Sequence, residues 1–146
     1  MSLEIENKYV IFKLAEEYYG LSIDNVISIE KPSQITRIPN APSYIKGVIN
    51  LRGEVIPVID LRNKLGMETR DLDRSSRIIV VSSNEIFAGL IVDTSSDVLE
   101  IHKENIDKPP TNENEEYIDY IKGIGKIKDR LIILLDLTKI LEYWGW

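Results

Sequence analysis

Matched aspartates, a single histidine and scattered serines are the residues of this chain whose types and positions could carry acid–base or nucleophilic chemistry. Asp60 and Asp136 each end an apolar run, VIPVID and LIILLD, and precede a short helical stretch. Two carboxylates could divide the roles of general acid and general base. A carboxylate in that position can also cap the helix, accepting backbone N–H groups that have no intrahelical partner. The same local context written twice favours capping. Asp24 and Asp93, which end the similar strings GLSID and GLIVD, are expected to cap as well. His102 is the sole histidine. It follows a strand-like run and sits beside Lys103 and Glu104, so a solvated surface position is expected rather than the helix face of a phosphotransfer site.

Other chemistries fail on ligand count or spacing. One histidine and no cysteine leave a transition-metal site short of its usual donors. The acidic run Glu113-Asn114-Glu115-Glu116 lacks the ligand order and central glycine of an EF-hand and reads as a solvated loop. Ser43, Ser75, Ser76, Ser95 and Ser96 have no histidine base in a plausible motif. The stretch 47–53 lacks Walker spacing, and Gly123-Ile124-Gly125 is too little to cradle a phosphate. No enzyme activity, cofactor or metal is expected, and what remains is binding.

Composition narrows the partners. The net charge is -6 and no Lys/Arg cluster interrupts it, which disfavours nucleic acid and anionic lipid surfaces. The absence of cysteine excludes disulfides and thiolate chemistry. The opening MSLEIE lacks the basic-then-apolar order of a signal peptide, and no apolar run reaches the length of a membrane span. A cytoplasmic location is expected.

The elements that must position these residues are written twice. YIKGVINLR (44–52) returns as YIKGIGKIK (120–128), and VIPVIDL (55–61) as LIILLDL (131–137), each 76 positions further on without a gap. A weaker echo relates 20–24 to 89–93, and 26–31 to 98–103. Each copy reads mainly as strands. The spans 9–14 and 18–22 form a hairpin, and 26–30 a half-buried strand. A second hairpin joins 47–51 to 55–60 around Arg52-Gly53-Glu54, followed by a short helix at 61–65. In the second copy 77–81 pairs with 86–92, 121–127 pairs with 130–135 across Lys128-Asp129, and 137–141 is the short helix. The polar segments 68–76 and 105–116 are expected on the surface. Short strands with frequent turns indicate an all-β sandwich or barrel. The expectation is one domain over 1–146, as two similar five-stranded barrels: lobe one about 9–66, lobe two about 77–141, with terminal segments able to cross between them. Copies this small are marginal alone, so the lobes should share an apolar interface.

Three runs, TRIPNAP (36–42), YIKGVINLRG (44–53) and VIPVIDLR (55–62), resemble the signature of the CheW-like domain family. The likeness extends to Tyr19-Gly20-Leu21 with Val26, to Gly89-Leu90-Ile91-Val92-Asp93, to Ser96-Asp97-Val98-Leu99 and to RLIILLD (130–136). It implies two SH3-like five-stranded β-barrels packed together with short helices. It implies a non-catalytic adaptor of chemotaxis signal transduction, most similar to the stand-alone coupling members. The implied partners are the regulatory domain of the histidine kinase CheA and the cytoplasmic tip of a methyl-accepting chemoreceptor. By the resemblance, Ile38, Pro39, Leu51, Arg52 and Gly53 contact the kinase. Val26, Ile29, Arg52 and Val98 contact the receptor, whose helical tip would lie in an apolar groove between the lobes. The chain would be recruited to membrane receptor arrays without inserting into the bilayer. Ser28 stands where many members carry an acidic residue. Arg52, matched by Lys128, is expected at a hairpin tip, pointing outward and free of folding work. The aromatic tail Tyr143-Trp144-Gly145-Trp146 is expected to pack on the second lobe. The alternatives are a coupling protein of another two-component pathway, for example one governing pili, and a small-molecule-binding sensor barrel.

Overall fold

The computed structural model describes residues 7–109 and 119–142. The readings for 113–116 and for the tail 143–146 therefore lie outside the described residues. Strands β1 (Lys8–Leu14) and β2 (Glu17–Ser22) form the opening hairpin, rich in the aromatic and branched side chains that suit a pleated surface. β3 (Val26–Glu30) follows a single 3-10 turn. β4 (Ile45–Leu51) and β5 (Glu54–Asp60) form the second hairpin and lead into α1 (Leu61–Lys64). The plan then repeats with β6 (Arg77–Ser83), β7 (Ile86–Val92), β8 (Thr94–Glu100), the two-residue β9 (Ile106–Asp107), β10 (Ile121–Ile127), β11 (Arg130–Leu135) and α2 (Leu137–Leu141). β9 occupies the start of the segment that the sequence reads as a surface linker, because Ile106 and Asp107 find a ladder partner in β10.

The strands form two mixed sheets, in the orders β8-β1-β2-β11-β10-β9 and β3-β6-β7-β5-β4. The sixth strand of the first sheet is β9. The class is all-β, as expected, but the sheets do not follow the two copies. Each takes its opening hairpin from the other copy: β1–β2 joins the later strands, and β6–β7 joins the earlier ones. The exchange is reciprocal in register. The parallel pair Leu134 and Gly20 in one sheet corresponds to Val58 and Gly89 in the other. A repeat reveals which segments are alike, not which copy each segment pairs with, so lobes drawn at 9–66 and 77–141 divide the chain differently from the sheets.

Three apolar clusters result. Ile49, Ile56, Val58, Ile78, Val80 and Ile91 fill one face of the five-stranded sheet. Tyr9, Ile11, Ile101, Ile132 and Leu134 fill one face of the six-stranded sheet. The remaining faces meet in a shared core that includes Phe12, Leu14 and Leu21 from one sheet and Ile59, Ile79 and Leu90 from the other. Lys64 is buried at this junction, 3.8 Å from the ring centre of Tyr44 and 5.6 Å from that of its repeat equivalent Tyr120. Burial pushes its ammonium below the ordinary lysine value.

Asp60 and Asp136 do cap. Each accepts the N–H three residues on, from Asn63 at 3.3 Å and from Lys139 at 3.2 Å. Asp24 and Asp93 do not. Ser22 caps the 3-10 turn that contains Asp24, and Asp93 leads into a strand, so it has no helix to cap. Asp93 instead accepts from the Arg62 guanidinium at 2.6 and 2.9 Å.

Candidate functional site

The tip of the β4–β5 hairpin is built by its own residues. Arg52 and Gly53 take φ values of +52° and +88°, and the Gly53 N–H donates to the Asn50 side-chain oxygen at 2.9 Å. Two successive positive φ values match the right-handed twist of flanking strands in a two-residue turn. Gly53 accepts this conformation freely; Arg52 does so against the preference of an L side chain, at a cost of about 1 kcal/mol. This is a demand on the backbone at position 52 and not on the arginine side chain. That side chain remains 72% exposed, with an ion pair to Glu30 on β3 at 3.6 Å. In water such an exposed pair contributes little.

Beside this tip lies a shallow hollow of about 190 Å³ lined by Ile27, Leu51, Arg52, Glu54, Ile56, Val80 and Phe87. Ile27 is 50% exposed and Phe87 is 44% exposed. Exposed apolar side chains gathered around one cation mark a contact surface. Sequence reasoning missed Ile27 and Phe87. Phe87 follows a turn in which both Asn84 and Glu85 have positive φ, and only the register across β6 places its side chain at the rim.

Ile27 was hidden by a bulge. Val26 pairs with Val81 and Ser28 with Val80, which leaves Ile27 as the extra residue. An inserted residue reverses the in–out alternation. Val26 and Ile29, three positions apart, consequently share a face. Their partners Val81 and Ile79 belong to the shared core. Val98, on β8, pairs with Val10 of that same core. Three of the four residues assigned to the receptor by resemblance, Val26, Ile29 and Val98, thus lie on core-facing sides of two equivalent edge strands, one in each sheet. Ile29 and Val98 are 42% and 50% exposed there, while Val26 is half-buried against the core. Ser28, on the opposite face, has a buried hydroxyl oxygen with no hydrogen-bond partner.

The residues assigned to the kinase divide into two places. Leu51, Arg52 and Gly53 are together at the hairpin tip. Ile38 and Pro39 lie elsewhere: Thr36 pairs antiparallel with Val48 through two backbone bonds, so the chain beyond Thr36 runs back toward Lys46 and away from Arg52. Arg52 does not line the shared-core face either. It reaches β3 through Glu30, on the side opposite Ile29. His102 is 54% exposed, 3.8 Å from the Glu100 carboxylate. Among the described residues no group of His, Cys, Asp and Glu is arranged to hold a metal ion, and no helix is long and apolar enough to cross a membrane.

Comparisons with known proteins agree with this architecture. A family model described as the CheW-like domain matches residues 8–143. The chain is 37% identical to chemotaxis protein CheW of Klebsiella aerogenes, over 94% of this chain and 83% of that protein. It is 36% identical to chemotaxis protein CheW of Bacillus subtilis, over 97% and 92%. The crystal structure of scaffolding protein TtCheW from Thermoanaerobacter tengcongensis superposes with a TM-score of 0.87 at 41% identity, covering 97% of this chain and 96% of that one. With the family model spanning both sheets and relatives matching nearly end to end, the chain belongs to the CheW-like domain family, as a non-catalytic scaffold of the chemotaxis coupling type.

Proposed function

We propose that this chain couples the cytoplasmic tips of methyl-accepting chemoreceptors to the histidine kinase CheA, acting in the cytoplasm at membrane receptor arrays. The observation that carries the reading is the presence of two separate exposed apolar surfaces on one small scaffold. One is the hollow at the Arg52 tip, the proposed site for the kinase regulatory domain. The other is the pair of edges bearing Ile29 and Val98, with Val26 behind them, the proposed seat of the receptor's helical hairpin. An adaptor needs surfaces that two partners can occupy at once, and these lie on opposite faces of β3. Half-buried Ile38 and exposed Pro39 lie apart from the tip, so a kinase domain seated at Arg52 would have to extend to reach them.

The test is a pair of charge insertions. Phe87→Glu should weaken binding of the kinase regulatory domain at least tenfold and leave a receptor hairpin fragment unaffected. Val98→Glu should do the reverse. Either variant should lower receptor-dependent kinase output in a reconstituted mixture. If both variants bound both partners as tightly as the unsubstituted chain, the assignment of the two surfaces would be wrong.

A further inference from the structure

The chain passes between the two sheets twice. At one of these crossings a single residue, Asp93, separates β7 from β8. That residue is held from both sides. Its N–H donates to the Lys13 carbonyl at 3.1 Å. Its Oδ2 accepts the Ala15 N–H at 2.7 Å and the Arg62 Nη2 at 2.6 Å, while Oδ1 accepts the Arg62 Nε at 2.9 Å. Arg62 also donates to the Glu68 carbonyl at 2.9 Å, and the Arg70 guanidinium stands 3.8 Å from the carboxylate. The paired side chains are only 14% and 11% exposed.

Lys13 and Ala15 belong to the hairpin of the six-stranded sheet. Arg62 belongs to the helix that follows β5 in the five-stranded sheet. One carboxylate therefore ties the frameworks of both sheets. A guanidinium meeting a carboxylate through two parallel bonds fixes orientation as well as distance. The equivalent crossing, between β2 and β3, has an exposed Asp24 and a neutral bond from the Asn25 amide to the Ser82 carbonyl at 3.1 Å. We propose that Arg62 and Asp93 are positioning residues: a clamp that sets the angle between the sheets, and through it the spacing of the β3 and β8 edges that carry Ile29 and Val98. β8 begins at the residue after Asp93, so the clamp also fixes where the Val98 strand starts. The positioning role rests on the groove reading above; the clamp itself does not.

The chain has no cysteine, so Glu85→Cys and Asp129→Cys, on exposed turns of the two sheets, place a spin-label pair without competing thiols. The distance distribution between the labels should be narrow in the otherwise unsubstituted chain and at least twice as broad with Asp93→Asn. Arg62→Lys, which keeps the charge and loses the fork, should fall between, and it decides the matter if Asp93→Asn does not fold. The exchanged pair, Arg62→Asp with Asp93→Arg, should recover part of the narrow distribution, a rescue that simple loss of stability would not give. Affinity for a receptor hairpin fragment should fall at least fivefold wherever the distances broaden. Unchanged distances in a folded variant overturn the clamp. Broadened distances with unchanged hairpin affinity overturn the positioning role. If the unsubstituted chain does not bind the hairpin, the groove reading has failed and takes the positioning role with it, while the distances still report on the clamp.

Discussion

The two crossings between the sheets are products of one duplicated plan, and they are built differently. At the first, the chain leaves β2 through a 3-10 turn whose Asp24 is exposed. At the second, Asp93 alone makes the passage, 8% exposed, with both oxygens bonded. Elsewhere the copies agree closely: Asp60 and Asp136 cap, their N–H groups donate to the carbonyls of Tyr44 and Tyr120 at 2.7 and 2.8 Å, and the outward Val55 and Leu131 are 70% and 63% exposed. What both copies keep is what the fold requires. What one copy has alone, such as the Arg62–Asp93 pair or the hollow beside Arg52, needs another reason, and the proposed binding geometry offers one.

The sharpest way to break this comparison is to neutralise the two aspartates in turn. Asp93→Asn leaves a guanidinium largely buried without its charge partner and should cost about 3 kcal/mol of folding stability. Asp24→Asn should change stability by no more than about 0.5 kcal/mol. The acid limb of stability separates them further. Burial pushes the Asp93 carboxyl up, but the Arg62 bonds, the Ala15 N–H and the charges of Arg62 and Arg70 together outweigh it and hold the group below the usual aspartate range. A depressed carboxyl contributes stability that is present above the unfolded value, about pH 4, and is lost as pH falls through the folded one. The gap between unsubstituted chain and Asp93→Asn should therefore be full at neutral pH and close below about pH 4. Denaturant titrations at neutral and acidic pH measure both effects; equal losses for the two aspartates would erase the distinction between the crossings.

The paired glycines come next in size. A methyl added at Gly47 would lie 2.2 Å from the Thr36 carbonyl oxygen, a backbone atom already bonded to the Val48 N–H at 2.8 Å. At Gly123 it would meet the Ile106 side chain at 2.7 Å, on the two-residue β9. Backbone in the ladder cannot yield as a side chain on a short edge strand can. Gly47→Ala should cost about 2–3 kcal/mol and Gly123→Ala about 1 kcal/mol, within the range for overpacked sites, as read from denaturation midpoints. The opposite ranking would mean that the bridge between Thr36 and Val48 is dispensable and that β9 is not.

Much of this was legible in the sequence because strands and caps are local. The 76-residue offset exposes the β4–β5 and β10–β11 hairpins, both short helices and both helix-capping aspartates. Three things were not legible, each for a physical reason. The hairpin exchange is a matter of pairing partners, on which a repeat is silent. The bulge at Ile27 reverses parity within VISIE, a string that reads as regular alternation. The Arg62–Asp93 pair joins residues 31 positions apart, and each alone looks like an ordinary charged residue near a strand end. At the candidate site the hairpin pattern puts Arg52 and Gly53 at a tip, and the family resemblance groups Val26, Ile29 and Val98 by partner, but neither hints that Val26 and Ile29 share a face or that Ile38 and Pro39 run the other way.

The hairpin tips provide a binding comparison of intermediate size. Arg52 and Lys128 both sit at φ +52°, so substitution by alanine keeps the same backbone demand in each. Stability should move by no more than about 0.5 kcal/mol in either case, since the Arg52 pair with Glu30 is exposed. Arg52→Ala should nevertheless weaken the kinase regulatory domain by roughly tenfold, about 1.4 kcal/mol, because its guanidinium borders the apolar hollow. Isothermal titration with each partner separates the contributions. If Lys128→Ala weakened the kinase domain as much as Arg52→Ala did, the hollow would not distinguish the two tips.

The smallest expected effect is also the cleanest control. Asp60 and Asp136 occupy equivalent positions with nearly equal cap bonds, so Asp60→Ala and Asp136→Ala should each cost about 1 kcal/mol, the usual worth of a side-chain N-cap. Asp60 is 5% exposed and Asp136 only half-buried, so the Asp60 loss should be the larger of the two, its helix N–H being left with less access to water. Neither change alters a surface proposed for a partner, so affinities for the kinase domain and the receptor hairpin should hold. Replacement by asparagine, which caps as well as aspartate, should restore most of the stability in both copies. That rescue bears directly on the two readings of these carboxylates: a cap needs an acceptor oxygen and survives the loss of charge, whereas an acid–base pair does not. A deficit in kinase activation that persisted in Asp60→Asn or Asp136→Asn with stability restored would mean that one copy of a duplicated folding device had acquired a second task.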